Sequence, residues 1–299
     1  MIIEFVQTII ILMIWSIYPL TYAQYDQNLS IAQPGCNSVC GNVSIPYPFG
    51  MNDPKCYGDK WFEIACKGGQ KPYLKYINLE VKFIDIRGGV QIMNPIYRRN
   101  CQREDALPNI QLGGGPFAYD DEYNTFVAVG RNIHAVLESY LNVSHSQTTE
   151  CVAVCDDDNK TRQVRDIASC GTERCCQVAL PPNLLEFKVT TEGLPNVTHG
   201  CSYALLIIPE TYRFLFDEFR YNVDWVPSVG DLNHLDAVPA MLNWEIPINS
   251  TLKVPADDAN AYCYDTNITS SQYARSGQRC HCYFGGGGNP YVPGGCAGK

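Results

Sequence analysis

Apolar positions along this chain alternate in short runs. Leu79, Val81 and Phe83 alternate with Glu80 and Lys82, which predicts a strand with one buried and one wet face. Gly88-Gly89 then turns the chain, and Val90 to Met93 reads as a short returning strand. Phe126-Val127-Ala128-Val129 ahead of Gly130, and Tyr203 to Ile208 ahead of Pro209, are continuous apolar runs of strand length. Tyr212 to Val226 alternates loosely and carries many aromatics. Helix is expected only at Ile133 to Tyr140 and around Leu184. The pattern therefore predicts a mostly β chain with little helix.

One segment departs from simple alternation. Cys36 and Cys40 bracket a tight turn, and Val43 to Gly50 then runs through Pro46, Tyr47, Pro48 and Phe49. Proline fixes φ and lacks a donor, so Ile45 to Gly50 reads as an edge strand turning into a rigid extended loop. Such a loop holds Tyr47 and Phe49 at low entropy cost, as a carbohydrate-binding surface requires. A second reading is that the same aromatics cap a small core.

The first residues are of another kind. Ile9 to Trp15 is almost wholly apolar, Pro19 breaks it, and Thr21-Tyr22-Ala23 places a small residue before Gln24. This reads as a secretory signal at 1–23, cleaved after Ala23. Glu4, in a leader without Lys or Arg, leaves a retained membrane anchor as the alternative; Ile2 to Leu20 is near the lower length limit for spanning. No other run is long and apolar enough.

With an export signal, fifteen cysteines in 299 residues imply disulfides. They are Cys36, Cys40, Cys56, Cys66, Cys101, Cys151, Cys155, Cys170, Cys175, Cys176, Cys201, Cys263, Cys280, Cys282 and Cys296, and the sequence leaves their pairing open. Neighbours Cys175 and Cys176 are each expected to pair elsewhere. The count is odd, and the expected reason is a partner lying beyond Lys299. Cys280-His281-Cys282 clusters zinc-ligand types without paired Cys-x-x-Cys spacing, so no metal is expected there. Asn-x-Ser/Thr sequons at Asn28, Asn42, Asn142, Asn196, Asn249 and Asn267 favour glycosylation and surface loops. A glycan on Asn42 would crowd a ligand approaching Tyr47.

Five motifs together resemble the extracellular region of the plant wall-associated receptor kinases. They are Cys36 to Gly50, Phe62 to Cys66, Cys170 to Gln177, Met241 to Ile246 and Gly288 to Cys296. The resemblance implies tandem, disulfide-rich, mostly β modules. After the signal and a polar leader at 24–35 come a galacturonan-binding module at 36–105 and a β-rich middle region at 106–262. An incomplete epidermal-growth-factor-like module follows at 263–299, with no calcium site carried over. Pectin or oligogalacturonides are the implied ligand, outside the cell at the wall, with a membrane receptor as a possible partner. Family members continue into a spanning helix and a kinase, and neither is expected in these residues.

Charge sharpens this expectation. The chain carries a formal net charge of −9, which argues against nucleic acid. Residues 55–103 invert it. They hold ten cations, Lys55, Lys60, Lys67, Lys71, Lys75, Lys82, Arg87, Arg98, Arg99 and Arg103, against Asp59, Glu63, Glu80 and Asp85, an excess of six. Arg grips a carboxylate with two parallel hydrogen bonds, and Lys supplies point charge. Tyr47, Tyr57, Trp61, Tyr73, Tyr76 and Tyr97 offer flat apolar faces to sugar rings. Adjacent in a strand, Arg98 and Arg99 would face opposite ways.

Other chemistry has little support. Asp120-Asp121-Glu122 and Asp156 to Asn159 lack the ligand rhythm of a calcium loop and read as solvated loops. Gly285 to Gly288 precedes no kinase-type lysine strand, and the five histidines have no nucleophile motif beside them. No cofactor is expected. The expectation is a binding module rather than an enzyme. A secreted decoy or co-receptor meeting a protein partner, or a carboxylate-pair pectin hydrolase, remains as the alternative.

Overall fold

A computed structural model of the chain describes residues 30–101, 110–130, 133–142, 145–153, 175–182, 184–193, 201–208, 232, 234–248, 260–269, 274–283 and 287–296. β1 (Val39–Cys40) and β2 (Val43–Ser44) form a small hairpin. After the cis Tyr47-Pro48 bond, β3 (Gly50–Met51) opens a larger sheet. It is continued by β4 (Glu63–Lys67), β5 (Lys71–Leu74), β6 (Leu79–Asp85) and β7 (Gly89–Pro95). β8 (Tyr97–Arg99) leaves that sheet, and β9 (Phe117–Tyr119) returns to it. β10 (Thr125–Val129), β11 (Ile133–Asn142), β12 (His145–Ala153), β13 (Cys175–Ala179), β14 (Phe187–Gly193) and β15 (Ser202–Ile207) follow. β16 (Ala237–Trp244) comes back to the large sheet, and β17 (Ile246–Pro247), β18 (Ala261–Thr269) and β19 (Ala274–Cys282) complete the described strands.

The large sheet has the order β3-β4-β5-β6-β7-β16-β9. Smaller sheets are ordered β13-β10-β15-β8, β12-β11-β14 and β17-β19-β18. Pairings are antiparallel except β3 with β4, so the proline-bearing segment enters at a sheet edge, where a missing donor costs no ladder bond. The large sheet draws β9 and β16 from beyond residue 105. Its inner face aligns Val81, Ile92 and Ala240 in one row and Ile84, Val90 and Leu242 in the next.

At the end of those rows the core is aromatic. Phe49 and Phe62 are fully enclosed, 5.1 Å apart, and each meets Trp244 edge-on, at 5.4 and 5.7 Å. Tyr291 closes this nest 5.4 Å from Trp244. Phe49 thus serves the core, as the second reading of its loop held. Tyr47 is half-buried against the same cluster, and burial raises its phenol above the ordinary range.

Buried Asn289 fastens the two ends of the described chain together. Its amide donates to the Ile31 and Tyr47 carbonyls, both at 2.7 Å, and its side-chain oxygen accepts from the Tyr291 amide. The Gly-Asn-Pro-Tyr motif therefore holds the loop that contains the cis proline.

Three expectations change. Ile133 to Tyr140 lies in strand β11, where Ile133, Ala135, Leu137 and Ser139 alternate inward. Leu184 forms an isolated bridge with Tyr119 rather than sitting in a helix. Phe83 is 55% exposed, because a register shift between Val81 and Phe83 puts Lys82 and Phe83 outward in succession while Ile84 points in. β10 and β15 lie where their apolar runs predict. Tyr212 to Val226 is outside the described residues.

Among the described residues, six disulfides join Cys36–Cys56, Cys40–Cys66, Cys101–Cys201, Cys151–Cys176, Cys263–Cys280 and Cys282–Cys296. All four cysteines after residue 262 pair with one another. Cys155 and Cys170, and the side chain of Cys175, lie outside what the structure describes, and with them the expectation for the odd cysteine. Cys176 pairs away from its neighbour. The disulfides of Cys280 and Cys282 remove the thiolates that a zinc site on that cluster would need.

Candidate functional site

The first two disulfides staple β1 and the Pro54–Cys56 turn to the edge of the large sheet, and β4 and β5 present its outer face. Strand alternation sends Ile64, Pro72 and Leu74 inward and leaves Lys67, Lys71, Tyr73 and Lys75 outside. Register places Lys67 opposite Lys71 and Tyr73 between Ala65 and Glu80. Three lysines and a tyrosine thus share one strip of surface.

Each cation there is held differently. Lys67 Nζ lies 3.7 Å over the Tyr73 ring and donates to Asn78 Oδ1 at 2.9 Å. Asn78 takes a left-handed turn conformation (φ 54°), which asparagine tolerates. At the other end of the strands, Lys60 Nζ sits 4.5 Å over the Tyr76 ring, and Tyr76 packs 4.2 Å from Trp61. The rings thus support ammonium groups, and the ring face under each is occupied.

Carboxylates neutralise another set. Lys75 meets Glu63 at 2.6 Å, Lys82 meets Glu80 at 2.6 Å, and Arg87 meets Asp85 at 2.8 Å. Lys55 pairs with Asp53 at 3.3 Å. The hydrogen bond that Lys75 donates to Glu63 raises its ammonium, with burial opposing. Burial works against the Asp85 charge, but side-chain and backbone hydrogen bonds from Arg87 outweigh it and lower the carboxyl. Burial, followed by the charge of Glu80, raises the Tyr73 phenol. Asp59 has no cation partner among the described residues; its carboxylate caps the Lys60–Phe62 turn by accepting from the Trp61 amide at 2.7 Å.

Among the described residues, Lys60, Lys67 and Lys71 are the exposed lysines of residues 36–94 without a carboxylate partner. Lys71 makes no ion pair among the described residues and stands beside the β4–β5 turn.

Several expected ligands lie elsewhere. Arg98 is 8% exposed and donates to the Leu235 and Leu232 carbonyls near the Tyr203 ring, so a surface polymer does not reach it. Arg99 is exposed, but on β8 in another sheet. Trp61 is buried, with Gly115 packed against its ring. Tyr97 is buried too, which raises its phenol. Arg103 lies outside the described residues, as do Asn28, Asn196 and Asn249. Asn142 ends β11 and Asn267 lies in β18. Asn42 is exposed at the β1–β2 turn, whose Gly41 packs against the Gln70 backbone, nearer the Lys67–Lys71 turn than the expected Tyr47. Sequence reading missed exposed Phe83 and Tyr123 on this side; the bulge hid the first, and nothing in the loop pattern marks the second.

Among the described residues, no group of three or more His, Cys, Asp or Glu could hold a metal ion, and no helix is long and apolar enough to cross a membrane.

Residues 36–94 match the family model described as wall-associated receptor kinase galacturonan-binding. The chain is 30% identical to Arabidopsis thaliana wall-associated receptor kinase-like 4, in a match covering 87% of this chain and 36% of the relative. It is 28% identical to wall-associated receptor kinase 2 of the same plant, over 92% of this chain and 36% of the relative. Wall-associated receptor kinase 1 is 26% identical, over 88% and 35%. The chain spans about a third of the length of these relatives. No solved structure matches.

Proposed function

We propose that this chain is a wall-associated-receptor-kinase-like ectodomain that binds de-esterified pectin outside the cell, through the outer face of β4 and β5; the match of residues 36–94 to the galacturonan-binding family model supports the reading. The observation that carries the reading is that Lys67 and Lys71 on that face, and Lys60 in the turn that leads into β4, have no carboxylate partner among the described residues, two of them supported over tyrosine rings. A galacturonan presents one carboxylate per unesterified sugar along a stiff chain. Four residues separate Lys71 from Lys75, which at about 3.3 Å per residue is roughly 13 Å of strand, long enough to meet several units of one polymer.

The chemistry is that of exposed charge. Each contact contributes up to about 1 kcal/mol and is screened by salt. Useful affinity then comes from many contacts along one polymer. Lys75 already donates to Glu63, so engaging a uronate there requires exchange of one carboxylate for another. The fixed rings under Lys67 and Lys60 limit the rotamer entropy lost on binding. The module at 36–105 supplies the surface, and the middle region and the segment 263–299 support it. Under this reading the chain holds a polymer without cleaving it.

The test is retention on immobilised polygalacturonate at low salt. Replacing Lys60, Lys67 and Lys71 together by Glu is expected to lower retention at least about tenfold, with no reducing ends released by either protein. Retention equal to the unmodified protein would refute the placement, and release of reducing ends would refute the binding-only reading.

A further inference from the structure

The β18–β19 hairpin carries a second exposed surface. Tyr262, Tyr264 and Tyr283 are each 43% exposed, an unusual concentration of large rings facing water. Tyr262 lies opposite His281 and Tyr264 opposite Arg279, so these side chains share one face of the hairpin. The Tyr283 amide donates to the Asn260 carbonyl, which adds Tyr283 to the same face.

The rings form a row. Tyr283 to Tyr262 is 5.0 Å, Tyr262 to His281 is 5.7 Å and His281 to Tyr264 is 5.5 Å, with interplanar angles of 35°, 27° and 10°. These are nearly parallel rings at steps commensurate with a pyranose unit. The row is anchored at one end. Arg279 Nε donates to the Trp244 carbonyl, its guanidinium packs on Gly88, and Thr266 donates to buried Glu245. The platform is thus fixed to the rigid edge of the large sheet, beside Asp85 and Arg87.

Its charge differs from that of the β4–β5 face. Arg279 and Arg87 are the flanking cations. Arg87 is bound by Asp85, and Arg279 is tied to the Trp244 carbonyl. Burial, then Arg279 and Arg87, lowers the His281 imidazole, with Asp85 opposing, so the ring is neutral at neutral pH. Exposed aromatic rows with hydroxyl edges suit the apolar CH faces and hydroxyl rims of sugars. Arg279 keeps its charge at one end, and the uncharged rings of the row suit the apolar CH faces of a neutral chain.

We propose that Tyr283, Tyr262, His281 and Tyr264 form a stacking platform for neutral pyranose chains, of which esterified galacturonan is the representative. The proposal rests on the polymer-binding reading above and adds a salt-resistant site to its salt-sensitive one. A polymer with charged and esterified blocks would then be held at both faces of a single molecule.

The probe is highly methyl-esterified galacturonan at roughly 1 M sodium chloride, where screening leaves a Debye length near 3 Å. The full chain is expected to be retained. Tyr262→Ala with Tyr264→Ala should lower that retention roughly fivefold or more, the effect of two lost ring contacts. Tyr262→Phe with Tyr264→Phe should keep most of it, because stacking survives without the hydroxyls. Low-salt retention on polygalacturonate should be unchanged in both variants, which also reports that they fold. Absence of salt-resistant retention by the unmodified chain, as a protein-binding platform would give, overturns the proposal. So does undiminished retention by the alanine variant, or equal loss on both polymers. Failure of the lysine variant on polygalacturonate bears on the other site alone.

Discussion

Asn289 shows how much one side chain can decide. It is fully buried, and its two amide donors satisfy carbonyls from residues more than two hundred positions away. Asn289→Ala leaves the Ile31 carbonyl with the Tyr47 amide alone and takes this donor from the Tyr47 carbonyl and this acceptor from the Tyr291 amide, at about 1–3 kcal/mol for each group left unpaired. We expect a loss of roughly 2–5 kcal/mol in urea unfolding; a loss below about 0.5 kcal/mol would mean that water reaches the carbonyls and the asparagine is not a clasp. Nothing in the sequence announces this role. Asn289 was legible as part of a motif, but its partners are set by a fold that brings the two ends together. The basic island was legible as composition. Which of its lysines keep an unshared charge was not, because Glu63, Glu80 and Asp85 find Lys75, Lys82 and Arg87 only once β4, β5 and β6 are formed.

At the level of elements, alternation was a good guide wherever the strand is regular. Val90 to Met93 falls within β7, and the continuous apolar runs Phe126 to Val129 and Tyr203 to Ile207 fall within β10 and β15. It misled at β6, where one extra residue breaks the period of two. Val81 pairs with Ile92 and Phe83 with Gln91, so Lys82 is the surplus residue. Deleting Lys82 should therefore leave both flanking pairings intact, and we expect the unfolding midpoint to imply a change below about 1 kcal/mol. Deleting Glu80 instead brings Leu79 and Val81 into successive positions and turns one of them to water, at about 1.5–3 kcal/mol. Equal damage from the two deletions would contradict the register. The segment Ile133 to Tyr140 misled for a different reason. Ala135, Leu137 and Glu138 are good helix formers, but β12 and β14 pair on both sides of the segment, and that context overrides local preference.

Across the whole molecule, the disulfides divide the labour. Cys36–Cys56 and Cys40–Cys66 interleave and fix the edge of the basic face, while Cys282–Cys296 ties the β19 end to the segment that covers Trp244. Replacing Cys282 and Cys296 together by Ser opens a loop of sequence separation 14, which costs about 3 kcal/mol by chain entropy. It should also expose Tyr291 and Trp244, seen as a red shift in tryptophan emission; an unchanged spectrum and midpoint would show that Asn289 holds the segment unaided. Fold class and disulfide bonding were legible in the cysteine count and the short strands. The joining of β9 and β16 to the first module was not, since strand order depends on non-local pairing that periodicity does not encode.

The central claim is that unneutralised lysines on the β4–β5 face hold a polyanion, and its most direct test is the salt dependence of polygalacturonate affinity. The unmodified chain should lose affinity steadily as sodium chloride rises, and Lys60→Ala with Lys67→Ala and Lys71→Ala should give a shallower slope that meets it near roughly 1 M, where such charges are screened. Parallel slopes for the two proteins, or affinity for polygalacturonate indifferent to salt in the unmodified chain, would contradict the claim.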